Sequence, residues 1–490
     1  MRSLTLPWLA TSALVLSLTL QMSDGFYHEP TLAWLGLALI AALLGVAGVP
    51  WPGGPGGPGA TADRLAGPRV DLADGLLTLG VLISAVALTT RPVALYMADA
   101  RPWAHPDLLV VVAAMTIAAI AGTAWRSPRA RGHAAVVLLA GGLWLGAWTI
   151  RESPHPHIDV MPVHVDGFAA LARGQSPYGI TFTDMYKPDE GFYAPEMRDG
   201  RRILFGFPYP PLSLLMAWPG HALLGDLRYS EVLALVVAAG ILAGIGRGGI
   251  GLLCAGALLL SPRVLFHLEQ GWTEPFAIVL LAATVATALH RPGLAWLPLG
   301  LLIAVKQHMV LGLLFAPMLV SGTDPGRHSG VERAATRWPA PSRFRTVALL
   351  VAKAIAVAAV LTVPMALLDV DAFIRSAVLL QLREPFRLDS LSFTRGLVHL
   401  GWGLDKQGAL YVSLAAGSVG ILLSWWRAPR TPAGFAASLG LTCLLLTAFG
   451  KKAFLNYYFL VLACLLTAIA AARAQEDASA SSVSSEIQPQ

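Results

Sequence analysis

Apolar runs close to the length of a membrane-spanning helix recur along almost the whole chain. The predicted spans lie at 4–22, 31–50, 75–96, 107–125, 133–150, 212–225, 230–246, 249–261, 273–290, 294–305, 307–318, 346–368, 408–426, 433–449 and 454–472. A helix needs roughly 17–25 apolar residues to cross a bilayer. Several runs between 212 and 318 are short or interrupted, so we expect about 13 crossings in all. The pattern predicts an all-α polytopic membrane protein.

Composition supports this class. Of the 490 residues, 55% are hydrophobic and 13% are charged, whereas soluble domains carry about 25% charged residues. The net charge of +6 comes mostly from loop arginines. In a membrane protein such arginines indicate the orientation of the chain rather than a nucleic-acid-binding site. Cys254, Cys443 and Cys464 lie inside apolar runs and predict neither a disulfide nor a metal site.

Arginine placement predicts the orientation of the chain. Three short loops are rich in arginine: 125–133, 321–345 and 427–430. Such loops stay in the cytoplasm. Counting spans from them places both termini inside and the segments 151–211, 369–407 and 450–458 outside. The count is consistent only if one short helix within 212–318 does not cross.

Two polar segments suggest domain boundaries. The Gly/Pro-rich stretch 51–69 predicts a flexible linker, which would set the helices of 1–125 apart as an additional module. The second module would then be 126–472. The low-complexity segment 473–490 predicts a disordered cytoplasmic tail.

The long polar segment 151–211 carries the first candidate chemistry. The stretch HIDVMPVHVDGFAALARGQSPYG (157–179) holds Asp159 and Asp166 around a short amphipathic helix, with Gly174 as its C-terminal cap. Solvated loop charges are the ordinary interpretation of such acids. Here the loop is long and aromatic-rich, and a carboxylate can act as general base toward a hydroxyl group.

Basic residues recur at the predicted outer ends of distant spans, against the positive-inside bias. Lys306 and His308 lie in GLLIAVKQHMVLGLL, Arg387 lies in a predicted outer segment, and Lys451 and Lys452 lie in GKKAFLNYYF. A lysine at membrane depth is costly unless it snorkels or meets an anion. Contact with lipid headgroups is the simpler alternative for the others. Together these cations predict a bound phosphate.

Further acids stand at helix ends. Glu269 and Glu274 precede an apolar helix in FHLEQGWTEPFAIVLL (266–281), where the helix dipole alone could favour them. The acids of the DVD pattern at 369–371 are better explained as a helix-end charge pair than as a metal site. We expect no bound metal and no cofactor.

In these segments the chain resembles the GT-C superfamily of integral membrane glycosyltransferases, and most closely the bacterial polyprenol-phosphate-mannose-dependent mannosyltransferases. The resemblance covers roughly 133–472. It rests on the order of an acid before a short helix and GQSPYG, then YPPLSLL, GWTEPFAIVLL, GLLIAVKQHMVLGLL and KKAFLNYYFL. Four apparent spans precede the helix that should be first, so the resemblance says nothing about 1–125.

The resemblance implies a GT-C-like bundle with juxtamembrane helices at its outer face. It implies transfer of a sugar, mannose by default, from a polyprenyl-phosphate donor to a lipid or glycan hydroxyl, with inversion. Asp159, or Asp166 as the alternative, would be the catalytic base, and Lys306 would hold the donor phosphate. Further predicted phosphate contacts are His308, Arg387, Lys451 and Lys452. Further predicted substrate contacts are Glu274, Gln270, Tyr209 and Tyr178.

Other function classes stay open. A transporter or flippase of a lipid-linked anion is the main alternative, but such proteins place charges near the midplane and often contain internal repeats. A lipid-binding scaffold would need no acid beside the cations. The chain has no glycine fingerprint of a nucleotide-binding domain, and we expect no nucleic-acid partner. The expected location is the bacterial inner membrane, with the active site on the extracytoplasmic face.

Overall fold

A computed structural model describes residues 3–52, 71–125, 127–186, 191–246, 249–320 and 341–486. The α-helices are α1 (Leu6–Ser23), α2 (Glu29–Ala47), α3 (Leu72–Thr90), α4 (Pro106–Ala124), α5 (Pro128–Glu152), α6 (Val160–Ala172), α7 (Pro211–Leu224), α8 (Arg228–Ile245), α9 (Ile250–Leu259), α10 (Val264–Glu269), α11 (Glu274–His290), α12 (Trp296–Val305), α13 (Gly312–Phe315), α14 (Pro341–Leu367), α15 (Val370–Phe373), α16 (Leu380–Arg383), α17 (Phe393–His399), α18 (Lys406–Arg427), α19 (Pro432–Ala448) and α20 (Leu455–Glu486). Short 3-10 turns lie at Pro102–Ala104, Pro195–Met197, Pro292–Leu294, Gln307–Leu311 and Ala316–Met318, and a π-helical turn lies at Ile374–Leu379.

Within the described ranges, nine helices are long and apolar enough to cross a membrane: α1 to α5, α8, α14, α18 and α20. Shorter apolar helices, among them α9, α11, α12 and α19, complete the bundle. The predicted class, an all-α polytopic membrane protein, is confirmed. The total of about 13 crossings stays a prediction, because length and composition do not decide whether each short helix crosses.

Helix ends meet at two opposite faces of the bundle. Arg228, at the start of α8, donates from Nη1 to the carbonyl of Ser153 at 2.9 Å and to that of Glu269 at 3.3 Å. The end of α5, the start of α8 and the end of α10 therefore share one face, which we call the cavity face. Gly249, before α9, lies against Thr123 at the end of α4, which marks the opposite face.

Helix α7 does not cross the bundle, which corrects the predicted span 212–225. Tyr209, just before α7, lines a cavity at the cavity face. Arg228, shortly after α7, binds Ser153 and Glu269 at that same face. Because both ends of α7 lie at one face, α7 does not cross the bundle. It is therefore the one short helix within 212–318 that must not cross if the orientation count is to be consistent. Its Trp218 is exposed, as expected of a helix that lies along the membrane interface.

The segment between α5 and α7 folds over the cavity face. The predicted short helix is present as α6, and Gly174 after it adopts φ +69, the left-handed conformation of a helix C-cap. Three two-residue strands follow: β1 (Phe182–Thr183), β2 (Arg198–Asp199) and β3 (Arg202–Ile203). They pair antiparallel in the order β1–β3–β2.

The N-terminal helices pack directly on the rest of the bundle. Helix α1 packs against α3 and α20, and α4 packs against α5 and α9. The central helix is α20: within its span Leu455–Ala478, 94% of an 18-residue apolar window is buried. Its buried position follows from its apolar residues on all sides. The helices of 1–125 and 126–472 therefore share one core.

Some predictions concern segments that the structure describes only in part. Of the predicted linker 51–69, only 51 and 52 lie within the described residues, and of the basic loop 321–345 only the part from 341. Of the predicted disordered tail 473–490, residues 487–490 lie outside the described residues, whereas 473–486 continue helix α20. Alanine, glutamine and glutamate favour helix there, and Arg473 forms an ion pair with Asp71 before α3.

Candidate functional site

A cavity of about 230 Å³ lies at the cavity face. Its walls come from distant parts of the chain, which include the N-terminal loops, the segment before α6, the start of the turn after α12, and the segments that flank α16 and the α19–α20 loop. Aromatic rings supply much of the wall, with a few polar and charged groups among them, as in many small-molecule sites.

Most of the predicted site residues line this cavity. Those that do are Asp159, Lys306, His308, Arg387, Lys452, Gln270 and Tyr209. Those that do not are Asp166, Lys451, Glu274 and Tyr178. The fold therefore brings one predicted acid and four predicted phosphate contacts to the same small space.

Asp159 is held in place by two tyrosines. It precedes the first turn of α6, and its backbone N–H donates to the hydroxyl oxygen of Tyr186 at 3.1 Å. The Tyr193 hydroxyl donates a short hydrogen bond to its Oδ2. Burial, and next the charge of Asp159, hold the pKa of Tyr193 well above its usual value, so this hydroxyl stays protonated and remains a donor. The carboxylate is fixed in orientation while still facing the cavity.

Asp166 lies elsewhere on the same helix. Its side chain is exposed and does not reach the cavity. Of the two acids that the sequence left open as catalytic base, the geometry favours Asp159.

Lys306 is the charged centre of a buried network. Its Nζ forms an ion pair with Glu274 and donates to the Thr273 hydroxyl at 3.3 Å. Asn456 donates to the same carboxylate at 2.8 Å, and His267 lies 3.6 Å from its other oxygen. Lys306 also stands 5.3 Å from the ring centre of Tyr209. Glu274 thus positions Lys306. We had expected Glu274 to contact the substrate instead.

The two neighbouring lysines of the α19–α20 loop have different surroundings. Lys452 lines the cavity and binds Glu384 at 2.6 Å. Burial opposes its charge, but the carboxylates of Glu384 and Asp159 raise the pKa of Lys452 above its usual value. Lys451 is turned away from the cavity and donates to the carbonyls of Leu382 at 3.1 Å and Glu384 at 2.8 Å. Its contacts are structural.

Arg387 stands between two aromatic rings at the cavity wall. Its Cζ lies 4.1 Å from the ring centre of Phe192 and 4.9 Å from that of Phe454. Its Nε and Nη2 bind Asp389 at 2.9 and 2.6 Å. The stacked guanidinium is rigid, which suits it to hold an anion in a fixed direction.

Of the three remaining predicted residues, two line the cavity and one does not. Gln270 and His308 line the cavity, and His308 packs edge-on against Tyr457 with ring centres 6.2 Å apart. Tyr178 is fully buried and donates to the carbonyl of Tyr209 at 3.0 Å. Tyr178 therefore supports the backbone beside the cavity without lining it.

The charges at the cavity are paired unequally. Each lining lysine or arginine has a carboxylate partner, whereas no described cation lies within ion-pair distance of Asp159. A lysine ammonium has three donors, and Lys306 uses two of them on Glu274 and Thr273. A donor remains for an incoming anion. The arrangement can hold a phosphate near an acid that is available to accept a proton.

Several lining residues were not predicted from the sequence. They are Asp24, Phe26, Tyr96, Tyr186, Tyr193, Glu384 and Asn456. The aromatic richness of the segment 151–211 pointed to its tyrosines as a class. Nothing in the pattern pointed to Asp24 or Tyr96, because their position depends on how the N-terminal helices dock.

Among the described residues, no group of three or more His, Cys, Asp or Glu side chains could hold a metal ion. No protein-family model, curated protein or solved structure matches the chain. The function must therefore be inferred from the cavity and from the sequence resemblance.

Proposed function

We propose that the chain is a glycosyltransferase that moves a sugar from a polyprenyl-phosphate donor to the hydroxyl of a lipid or glycan acceptor. The transferred sugar is a hexose or a pentose, with mannose favoured by the resemblance to GT-C enzymes. The single observation that carries the proposal is the meeting of Asp159 with Lys306, Lys452 and Arg387 in one cavity.

The proposed reaction is a single displacement with inversion. Asp159 takes the proton of the acceptor hydroxyl, and the oxygen forms a bond to the anomeric carbon. The bond between that carbon and the phosphate oxygen breaks, and polyprenyl phosphate leaves with the electron pair. Tyr193 fixes the carboxylate so that its free oxygen points at the acceptor, which supports general base catalysis.

The cations have a separate task in this proposal. Charge builds up on the phosphate as its bond to the sugar breaks. Lys306, Lys452 and Arg387 would stabilise that charge, because fixed cations in a partly dry site interact strongly with a developing anion. Each of these cations has a carboxylate partner that balances its charge.

The proposed setting is a bacterial inner membrane with the cavity face outward. Arginines at the start of α5, the start of α14 and the end of α18 lie at the opposite face. The positive-inside rule favours that face for the cytoplasm. The donor would then be used on the extracytoplasmic side, where soluble nucleotide sugars are absent.

A transfer assay with a panel of radiolabelled polyprenyl-phosphate sugars tests the proposal. Membranes that contain the wild-type chain are expected to transfer label from at least one donor into lipid or glycan. The matched control is an Asp159→Asn chain expressed to the same level. No transfer from any donor, together with saturable donor binding and movement of the intact donor across vesicles, would overturn the proposal in favour of a transporter or flippase.

A further inference from the structure

Two loops of the N-terminal helices reach the cavity, although the family resemblance does not extend to them. The loop between α1 and α2 contributes Asp24 and Phe26, and the loop between α3 and α4 contributes Leu95 and Tyr96. They close a part of the wall that the helices of 126–472 leave open.

Buried charges fix the α3–α4 loop at this position. Glu269 is fully buried, and its two oxygens accept from the backbone N–H groups of Leu95 at 2.6 Å and Tyr96 at 2.7 Å. Arg263 donates to the carbonyl of Pro92 at 2.8 Å. Buried carboxylates and guanidinium groups are rare unless they are paired. Here both hold a loop against the cavity.

The α1–α2 loop is anchored from two sides. Asp24 forms an ion pair with Arg263, and the N–H of Tyr27 donates to the carbonyl of Asp389 at 2.8 Å. The Phe26 ring packs edge-on against Phe454, with ring centres 5.8 Å apart. Both loops are therefore tied to the elements that carry the proposed catalytic groups.

Tyr96 stands on the side of the cavity where the base lies. Tyr96 lines the same cavity as Asp159 and Tyr186. Tyr186 accepts from the backbone of Asp159. The N-terminal loops thus border the space next to the carboxylate, into which an acceptor hydroxyl must come.

We propose that these two loops form the acceptor subsite, and that the acceptor is a neutral, polyhydroxylated sugar unit. The inference rests on the proposed function. The rings of Tyr96 and Phe26 present flat apolar surfaces that suit the C–H face of a sugar. Asp24, whose side chain is 40% exposed, has carboxylate capacity left to accept from sugar hydroxyls. Arg263, the cation bound to Asp24, does not itself line the cavity, so these loops offer no cation to an anionic acceptor.

Acceptor and donor kinetics of Tyr96→Ala and Asp24→Asn test the inference. The probes are n-octyl glycosides of mannose, glucose and arabinose, used with the radiolabelled polyprenyl-phosphate sugar that wild type accepts. Each variant is expected to raise the acceptor KM by about tenfold, the scale of one lost contact, and to leave the donor KM unchanged. Trp103→Ala is the matched control, because Trp103 is exposed on the same α3–α4 loop and does not line the cavity.

Tyr96 is itself partly exposed, so Tyr96→Ala is expected to leave the chain folded. It therefore tests the inference even if Asp24→Asn weakens the ion pair with Arg263. Tyr96 and Asp24 variants with an unchanged acceptor KM, or with a raised donor KM instead, would overturn the inference while transfer by wild type upholds the proposed function. A wild-type chain that transfers from no donor would overturn the proposed function itself.

Discussion

At the scale of single residues, the carboxylates around the cavity differ in what they bind. Glu274, Glu384 and Asp24 each bind a cation. Asp159 is bound through the Tyr193 hydroxyl. A carboxylate already committed to a cation is a poor proton acceptor, whereas a carboxylate oriented by a neutral donor keeps that capacity. This difference in partners makes Asp159 the base in our account.

The ion pair of Lys306 with Glu274 gives a prediction that separates stability from binding. Lys306→Met leaves a fully buried carboxylate without its cation. We expect it to lower the free energy of unfolding by about 3–5 kcal/mol. Adding Glu274→Gln removes that buried charge, so the double variant should regain most of the loss in thermal stability.

The double variant should still bind donor poorly, because the cation that meets the phosphate is absent. Thermal unfolding in detergent and a donor-binding assay measure the two effects on the same samples. Full recovery of donor affinity in the double variant would show that Lys306 only balances Glu274.

Some of this chemistry could be read from the sequence and some could not. Asp159 was predicted from its place in a long, aromatic-rich polar segment and from its distance to GQSPYG, and Lys306 was predicted because it interrupts an apolar run. The partner of each was not predicted, because Tyr193 lies 34 residues after Asp159 and Glu274 lies 32 residues before Lys306. Pairings at such distances follow from how loops and helices close in space.

At the scale of elements, the α19–α20 loop and the segment around α16 form one unit of the wall. The N–H of Arg387 donates to the carbonyl of Lys451, and that of Leu391 to the carbonyl of Ala453, both at 2.9 Å. Lys451 adds two bonds to carbonyls near the end of α16. These bonds set the positions of Arg387 and Lys452.

The pKa of Lys451 predicts a pH dependence of stability. Burial lowers this pKa to about 8, although the Glu384 charge opposes the shift. An unfolded lysine has a pKa of about 10.4. Between these values the unfolded chain binds more protons, so this contribution to stability grows as pH rises from about 8 to about 10 and is lost as pH falls toward 8.

Comparison of wild type with Lys451→Met isolates that contribution. The midpoint of thermal unfolding of wild type should rise relative to that of Lys451→Met from pH 8 to pH 10. A difference that stays constant over this range would contradict the assignment. Arg201→Met, at an exposed arginine between β2 and β3, is the control for general effects of removing a positive charge.

The helices also show which features the sequence predicts and which it does not. The predicted runs match α1 to α5 closely, because long apolar runs are unmistakable. Helix α7 was wrongly predicted as a span, because an apolar pattern does not reveal the direction in which a helix runs. Only the contacts of Arg228 with Ser153 and Glu269 place both of its ends at one face.

At the scale of the whole molecule, the N-terminal helices help to form the cavity. Their loops line the cavity, and α1 packs against the central helix α20. One close approach is at Gly25, whose φ is +79 and where a Cβ would lie 2.3 Å from the backbone N of Leu455. A side chain at this position would push the two parts apart.

Gly25→Ala therefore tests the docking of the two parts. Gly225 has nearly the same backbone angle, φ +78, but nothing lies within 4 Å of its virtual Cβ. We expect Gly225→Ala to cost about 1–2 kcal/mol from backbone strain alone. Gly25→Ala should cost roughly 1–3 kcal/mol more from overlap, measured as thermal unfolding in detergent. Equal losses in the two variants would contradict the close contact between Gly25 and α20.

The most direct test of the account compares Asp159→Asn with Asp166→Asn in the sugar-transfer assay, with donor binding measured on the same membranes. Asparagine keeps the size of the side chain but does not accept the proton. The account predicts that Asp159→Asn loses about 10²–10⁴-fold in turnover with unchanged donor affinity, while Asp166→Asn transfers like wild type. Wild-type turnover in Asp159→Asn, or a loss confined to Asp166→Asn, would contradict it.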